Sequence, residues 1–191
     1  MSYTEIFGFD KEGNAYFAGE TKNAFRSAMA IWRILEERYL PPHRPSYIPE
    51  HIQDDEIEKF CHYKPSRCTD MFNDKAMQEI WNLSDNDKVS EIDKIVLFTT
   101  FDRCLVKKED IEKVIKAFEE FEGETSLKEQ AEVLKELLKD DNCIAVGWNQ
   151  TSVNCDTWLG YDYDEDNDET IPYNCLENDK HYWLFDALNI K

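Results

Sequence analysis

Two neighbouring amphipathic segments constrain the fold of this chain more than any other feature. The segment "KEDIEKVIKAFEEF", residues 108–121, has its apolar side chains at helical spacing. They are Ile111, Val114, Ile115 and Phe118. The segment "SLKEQAEVLKELLK", residues 126–139, begins with the S-x-x-E capping box of a helix start, formed by Ser126 and Glu129. We therefore predict two helices, each with an apolar face that the rest of the chain must cover.

Short apolar runs predict the strands that such helices would cover. Residues 94–101, "KIVLFTTF", are rich in β-branched and aromatic residues and predict a buried strand. Residues 143–150, "CIAVGWNQ", predict another, with "TSVNCDTW" as its continuation or hairpin partner. Near the N-terminus, "YTEIFGFD" and "NAYFAGE" flank Gly13, which can supply the positive φ of a tight turn. These two runs predict a β-hairpin.

The remaining segments complete a prediction of an α+β fold. Residues 23–39 have a wide apolar stripe typical of a helix, and "PPHRP" then imposes a stiff loop over residues 41–49. Shorter helical patterns cover residues 50–62 and 70–82, and the apolar tail "HYWLFDAL" is expected to dock on the core.

We therefore predict one α+β domain over residues 1–191, with more helix than strand. A small, mostly antiparallel sheet is expected to be covered by helices on one face, and an acidic segment to occupy about residues 150–191. Five residues are predicted to be largely buried: Trp32, Phe98, Ile115, Leu134 and Val146.

The charge of the chain limits what it can bind. Asp and Glu number 41 against 22 Lys and Arg, a net charge of −19, and residues 150–191 hold ten acids against two bases. Such a charge repels nucleic acid and anionic membranes, and it favours a basic protein surface or bound cations. We therefore expect neither direct nucleic-acid binding nor membrane binding. The 41% hydrophobic content and the many aromatic residues exclude a disordered acidic chain.

The stretch "GYDYDEDNDET", residues 160–170, concentrates this charge without a single Lys or Arg. Its six carboxylates are the predicted partner-binding residues: Asp162, Asp164, Glu165, Asp166, Asp168 and Glu169. Metal binding, mimicry of a phosphate chain and a solvated acidic loop are the three interpretations. If the stretch is extended, Tyr161 and Tyr163 alternate with the carboxylates and are expected to pack inward.

Metal sites are weakly indicated. A calcium loop starting at Asp162 has acidic residues at its first alternating positions, but Tyr173 stands where the twelfth-position Glu belongs. The nearest approach to a zinc pattern is Cys61, His62 and Cys68, with His43 or His51, and its spacing is irregular. We predict no tight calcium site, no stoichiometric zinc and no cofactor, and we interpret the six Cys as reduced thiols.

No sequence motif of a known catalytic site occurs in the chain. A nucleophilic pair of Cys155 with His181 stays open, because spatial neighbours need not be sequence neighbours. Asp102 follows a predicted strand end, where functional carboxylates often lie, and a role in the turn that leads into the next helix is the equal alternative. We predict a protein without enzymatic activity. A metal- or thiol-dependent enzyme is the alternative.

The start of the chain lacks a basic region followed by an apolar stretch, and no apolar run is long enough to span a bilayer. We therefore expect a cytoplasmic protein.

Three long segments resemble proteins carried on phages and other mobile elements of Firmicutes. They are "MSYTEIFGFDKEGNAYFAGETKNAF…IWRILEERYLP", "KIVLFTTFDRCLVKKEDIEKVIKAF" and "SLKEQAEVLKELLKDDNCIAVGWNQTSV". The resemblance covers most of residues 1–153 and fades in the acidic tail. It carries no catalytic signature, so it assigns no functional residue.

Small acidic proteins of such elements include anti-CRISPR inhibitors of type II-A Cas9. The resemblance thus implies an inhibitor acting in the cytoplasm of a bacterial host. Its expected partner is a basic protein such as Cas9 with its guide RNA, which holds nucleic acid in a strongly basic channel.

Overall fold

The computed structural model describes residues 2–24, 26–61, 64–70, 73–101, 103–151, 158–178 and 182–190. Six strands are formed within these ranges: β1 (Tyr3–Phe9), β2 (Ala15–Lys22), β3 (Leu105–Lys107), β4 (Ala145–Gln150), β5 (Tyr161–Asp164) and β6 (Glu169–Pro172). Seven α-helices are formed within the same ranges: α1 (Ala28–Tyr39), α2 (Asp74–Trp81), α3 (Glu91–Phe98), α4 (Ile111–Glu120), α5 (Leu127–Lys139), α6 (Cys175–Asn178) and α7 (Leu184–Leu188). Short 3-10 turns cover Asp54–Lys59, Arg67–Thr69, Asn82–Asp85 and Lys108–Asp110.

The main sheet has four antiparallel strands in the order β2-β1-β4-β3. The predicted N-terminal hairpin is confirmed, and Gly13 at its turn has a φ of 85°, a conformation that costs a glycine little. The prediction for residues 143–150 is also confirmed, since β4 pairs with β1 on one side and β3 on the other. The fold is α+β with more helix than strand, as predicted.

Helices cover one face of this sheet and form the principal core with it. Trp148 of β4 lies against Phe118 of α4, with their rings in an edge-to-face arrangement. The indole N–H of Trp148 donates to Gln130 of α5 at 3.1 Å, so the buried polar atom of this side chain is satisfied. Leu134 and Val146, both predicted core residues, are fully buried here.

Of the other three predicted core residues, one is buried and two are partly buried. Ile115 is buried, whereas Trp32 and Phe98 are partly buried at the edge of the core. The C-terminal tail docks as predicted, because Leu184 and Phe185 of α7 are buried in the same cluster.

A second, smaller cluster covers the opposite face of the sheet. Phe9, Leu105 and Ala145 lie there against Trp158 and other residues of the C-terminal segment. The ring of Trp158 packs edge-to-face on Phe9, with 5.1 Å between ring centroids. A side chain at Gly147 would meet the Trp158 ring at 2.8 Å, so only glycine fits beneath it. These contacts hold the C-terminal segment on the face of the sheet opposite the principal core.

Residues 94–101 form no strand, and that prediction is wrong. They belong largely to α3, which starts at the cap residue Ser90 and buries Ile95, Val96 and Leu97. Because α3 contacts α1, α4 and α7, apolar residues are needed on several of its faces. A short apolar run of this kind has no helical periodicity to distinguish it from a buried strand.

The capping box at Ser126 is also wrong in its hydrogen bonds, although Ser126 does precede α5. The Ser126 side chain makes no cap hydrogen bond; its hydroxyl accepts instead from the side-chain amide of Gln130 at 3.1 Å. Glu129 pairs with Arg26 at 2.5 Å. Tertiary partners have thus replaced the local ones.

Two of the remaining predicted helices are present but shorter, and the third is reduced to a 3-10 turn. The pattern of residues 23–39 gives α1 from Ala28, residues 50–62 give only the 3-10 turn Asp54–Lys59, and residues 70–82 give α2. Residues 41–49 contain no helix or strand, as expected of the proline-rich loop. No helix in the described ranges is long and apolar enough to cross a membrane.

Candidate partner-binding site

The six predicted partner-binding carboxylates lie together on one β-hairpin, β5–β6. The strands pair antiparallel, with Asp162 opposite Ile171 and Asp164 opposite Glu169. Directly opposed residues share a face, so Asp162, Asp164 and Glu169 lie on one side. Five of the six carboxylate residues are exposed, and Asp164 is half-buried. No described Lys or Arg forms an ion pair with any of the six.

The turn of the hairpin is held by Asp164. Its carboxylate accepts from the backbone N–H groups of Asp166 (3.0 Å) and Asn167 (3.3 Å). It also accepts from the side-chain amide of Asn167 at 2.8 Å. These bonds, the side-chain amide of Asn167 first, lower the pKa of Asp164. The lowered pKa keeps the Asp164 carboxylate ionised, so it remains an acceptor for the hydrogen bonds of the turn.

Asp168 also has a structural role in the turn. It adopts a φ of 55°, in the left-handed region that Asp tolerates better than most residues. Its carboxylate accepts the phenolic hydrogen of Tyr163, and this bond raises the pKa of Tyr163. The Asp162 carboxylate accepts from the N–H of the adjacent Tyr163 at 2.8 Å, within β5 and outside the turn. Asp162, Glu165, Asp166 and Glu169 are therefore the charges least committed to the turn.

The two tyrosines do not pack inward, and that part of the prediction is wrong. Tyr161 and Tyr163 are 53% and 54% exposed on the face opposite Asp162 and Asp164. At the base of the hairpin the Tyr173 N–H donates to the Gly160 carbonyl at 3.0 Å, which joins the ends of the two strands, and Tyr173 packs against the second cluster. The strands themselves are almost wholly exposed, so both faces of the hairpin are in contact with solvent.

The calcium interpretation gains no support from this geometry. Two oxygens of Asp164, which would be a ligand, already accept backbone and amide hydrogens of the turn. Among the described residues, no group of three or more His, Cys, Asp or Glu side chains could hold a metal ion. His62 of the zinc pattern and Asp102 lie outside the described residues. The Cys155–His181 pair that the sequence leaves open also lies outside them.

The cysteines of the weak zinc pattern have separate partners. The Cys61 thiol is 3.5 Å from the Tyr47 hydroxyl, and the Cys68 thiol is 2.9 Å from the Ser66 hydroxyl. His43 is bound to Asp70 at 2.8 Å, and Asp70 also accepts from the hydroxyl and N–H of Ser46. Burial opposes the ionisation of Asp70, but the bonds from Ser46 and His43 outweigh it and lower the pKa.

A cavity of about 860 Å³ beside α1 contains many charges, but most of them are paired within the chain. Glu36 pairs with Arg67 at 2.8 Å, and Glu37 with Lys64 at 2.6 Å. Asp54 pairs with Arg44 at 2.7 Å. These internal partners favour a structural role for this region.

A second cavity, of about 820 Å³, was missed by the sequence analysis. We call it the tryptophan cavity, because Trp32 of α1 and Trp81 of α2 line it. Met29 and Trp81 are 36% and 39% exposed there. The sequence does contain a signal, since Met29 belongs to the wide apolar stripe of residues 23–39. Only the structure shows that this end of the stripe faces an open cavity.

No protein-family model, curated protein or solved structure matches the chain. Its function must therefore be argued from the geometry of the acidic hairpin and of the tryptophan cavity.

Proposed function

We propose that the chain is an acidic binding protein whose β5–β6 hairpin docks in a basic, nucleic-acid-binding groove of another protein. The observation that carries the proposal is the set of six carboxylates on one hairpin without an ion pair to any described Lys or Arg. Like charges directly opposed across two strands, as at Asp164 and Glu169, destabilise a hairpin. A positively charged partner would remove that repulsion.

The charge density of the hairpin supports mimicry of a phosphate chain. Each strand has four residues, so the paired strands extend roughly 13 Å. Asp162, Asp164 and Glu169 lie on these strands, and the other three carboxylates lie in the turn beyond them. The resulting density is of the same order as one phosphate per about 3.4 Å along a single nucleic-acid strand. Tyr161 and Tyr163, exposed on the other face, add aromatic rings on which Arg or Lys side chains of a groove can stack.

The resemblance to mobile-element proteins supports a particular partner. Cas9 holds its guide RNA and target DNA in a basic channel, and anti-CRISPR inhibitors are among the acidic proteins of such elements. We therefore propose inhibition of Cas9 in the cytoplasm of a bacterial host, without direct binding of this chain to nucleic acid. No observation within the described ranges favours the alternative of a metal- or thiol-dependent enzyme.

The test is binding to Cas9 loaded with guide RNA, measured by biolayer interferometry, together with inhibition of DNA cleavage. The variant neutralises the four charges that the turn does not need: Asp162→Asn, Glu165→Gln, Asp166→Asn and Glu169→Gln. We expect weaker binding and weaker inhibition, and a steep loss of wild-type affinity as salt rises, because exposed charges are screened over about 8 Å at physiological ionic strength. Slower association would indicate steering, whereas faster dissociation would indicate carboxylates buried against Arg or Lys.

A matched control removes the same net charge from exposed positions without a described ion pair: Glu50→Gln, Asp87→Asn, Glu124→Gln and Asp141→Asn. It should bind like the wild type. If the hairpin variant also binds and inhibits as well as the wild type at physiological salt, the hairpin is a solvated loop. If the wild type does not bind Cas9, the proposed partner is wrong. Recovery of another basic, nucleic-acid-binding protein from a nuclease-treated bacterial lysate would then leave the docking mode to be tested on that protein.

A further inference from the structure

Two side-chain amides meet at a single buried hydroxyl on the wall of the tryptophan cavity. The Thr4 hydroxyl oxygen lies 2.8 Å from the amide oxygen of Asn23 and 2.8 Å from the amide oxygen of Gln150. Thr4, Asn23 and Gln150 are 1%, 6% and 8% exposed, so the arrangement is built into the protein interior. Asn23 and Gln150 both line the cavity.

The chemistry of a hydroxyl determines what these two amides present. A hydroxyl has one hydrogen, so Thr4 can donate to only one of the two amide oxygens that face it. The second oxygen would face the hydroxyl without a hydrogen between them, and exchanging O and N in that amide lets Thr4 accept from it. One amide therefore turns its oxygen to Thr4 and keeps its NH₂ free, while the other turns its NH₂ to Thr4 and keeps its oxygen free. Within the described residues, these free halves have no other hydrogen-bond partner. The wall thus offers one donor beside one acceptor.

The remaining walls favour a planar ring. Trp32 donates its indole N–H to Thr100 at 2.8 Å, which satisfies its polar edge and leaves an apolar surface for the cavity. Trp81 and Met29 add exposed aromatic and thioether surface. Indole and thioether groups pack well against aromatic rings. The volume of about 820 Å³ lies within the range common for small-molecule sites.

The tryptophan cavity differs from the rest of the molecule in its charge. Among the described residues that line it, Lys22 and Asp85 are the charged ones, one of each sign. In a protein of net charge −19, a locally balanced cavity suits an uncharged ligand better than an anion or a cation. We propose that the tryptophan cavity binds a neutral, planar nitrogen heterocycle that carries a hydrogen-bond donor next to an acceptor, as the edge of a nucleobase does.

Theophylline and caffeine are the probes that test this proposal, because they share one ring system. Theophylline has a ring N–H next to a carbonyl, and caffeine has a methyl group in place of that hydrogen. We expect theophylline to shift the indole N–H signals of Trp32 and Trp81 in ¹H–¹⁵N spectra. Caffeine should bind about ten-fold more weakly, because it leaves a buried acceptor of the wall without a partner.

Three variants locate the site. Gln150→Met preserves side-chain length but removes one of the two amides, so it should abolish the preference for theophylline. Trp81→Ala should weaken both probes, while Phe60→Ala, another exposed aromatic residue outside the cavity, should weaken neither. Trp81 is partly exposed, so its removal should leave the fold intact, which thermal unfolding checks.

Three results would overturn the proposal. The first is the absence of theophylline binding up to about 10 mM, which would limit the favourable free energy of binding to less than about 3 kcal/mol. The second is caffeine binding as tight as that of theophylline, which would mean an apolar cavity without recognition of a polar edge. The third is binding unaffected by Trp81→Ala, which would place the ligand elsewhere.

Discussion

Arg67 shows how single side chains hold the proline-rich region against the helices. It is 4% exposed, and its guanidinium donates to Glu36 at 2.8 Å, to Glu79 at 2.7 Å and to the Pro41 carbonyl at 3.0 Å. Burial lowers the pKa of Arg67, but the bonds to Glu79 and Glu36 outweigh it, and the net direction is upward. Removing one partner of such a pair costs far more than replacing both, because it leaves the other charge buried.

Arg67→Met should therefore lower the free energy of unfolding by about 3 kcal/mol, because it leaves the Glu36 carboxylate buried without its cation. The double variant Arg67→Met with Glu36→Gln should lose less than the single variant. Chemical denaturation measures both. Lys139→Ala, which breaks an exposed pair with Glu136, should cost at most about 0.5 kcal/mol. A loss equal to that of this control would show that the buried pair contributes no net stability.

At the scale of elements, α3 is stabilised by a cap and by its tertiary neighbours. The Ser90 hydroxyl accepts from the Asp93 N–H at 3.1 Å, which satisfies one of the free donors at the helix start. Asp93 in turn accepts from Arg38 at 2.6 Å and from the Tyr39 hydroxyl. The first turn of α3 is thereby joined to the last turn of α1.

Ser90→Ala should lower the free energy of unfolding by about 1 kcal/mol, because the Asp93 N–H loses its acceptor. Ser90→Asp retains an acceptor at the cap and should keep most of the stability. Denaturant titration compares the two variants, with the same dependence of the unfolding free energy on denaturant concentration used for both. Equal losses for both would indicate that Ser90 contributes through its surroundings and not as a cap.

At the scale of the whole molecule, the net charge of −19 opposes compaction. Many of the ion pairs are exposed pairs between neighbouring turns of one helix, such as Lys139 with Glu136 and Lys135 with Glu132. Pairs of that kind contribute little stability. The repulsion is therefore offset mainly by the two apolar clusters on either side of the sheet.

Raising NaCl from about 0.05 M to about 0.5 M should raise the thermal midpoint, because screening of the net repulsion outweighs the loss of exposed pairs. Differential scanning calorimetry measures the shift. The hairpin variant with four neutralised carboxylates should show a smaller increase, since it begins with less repulsion. A midpoint that falls with salt would mean that the ion pairs outweigh the repulsion.

Local patterns in the sequence were sufficient for several elements. The four-residue spacing of α4 and α5 and the turn residue Gly13 specify structure through neighbours in the chain. These elements were predicted correctly, as was the α+β class that they imply. The exposure of the acidic stretch follows from its charge, because unpaired carboxylates resist burial. The β5–β6 hairpin that carries it was not predicted.

Tertiary contacts decided the features that local patterns leave open. Residues 94–101 became part of a helix because three neighbouring helices supply apolar contacts around α3. Ser126 and Glu129 do not form the predicted capping box, because Ser126 bonds to Gln130 and Glu129 pairs with Arg26. The polar wall of the tryptophan cavity contains Asn23 and Gln150, which both contact Thr4. The pairing of β1 with β4 and the end of β2 bring these three residues together. The sequence alone determined the periodic elements and the charge. Only the folded chain determined which side chains meet, because those contacts join residues far apart in the sequence, such as Thr4 and Gln150, which are 146 positions apart.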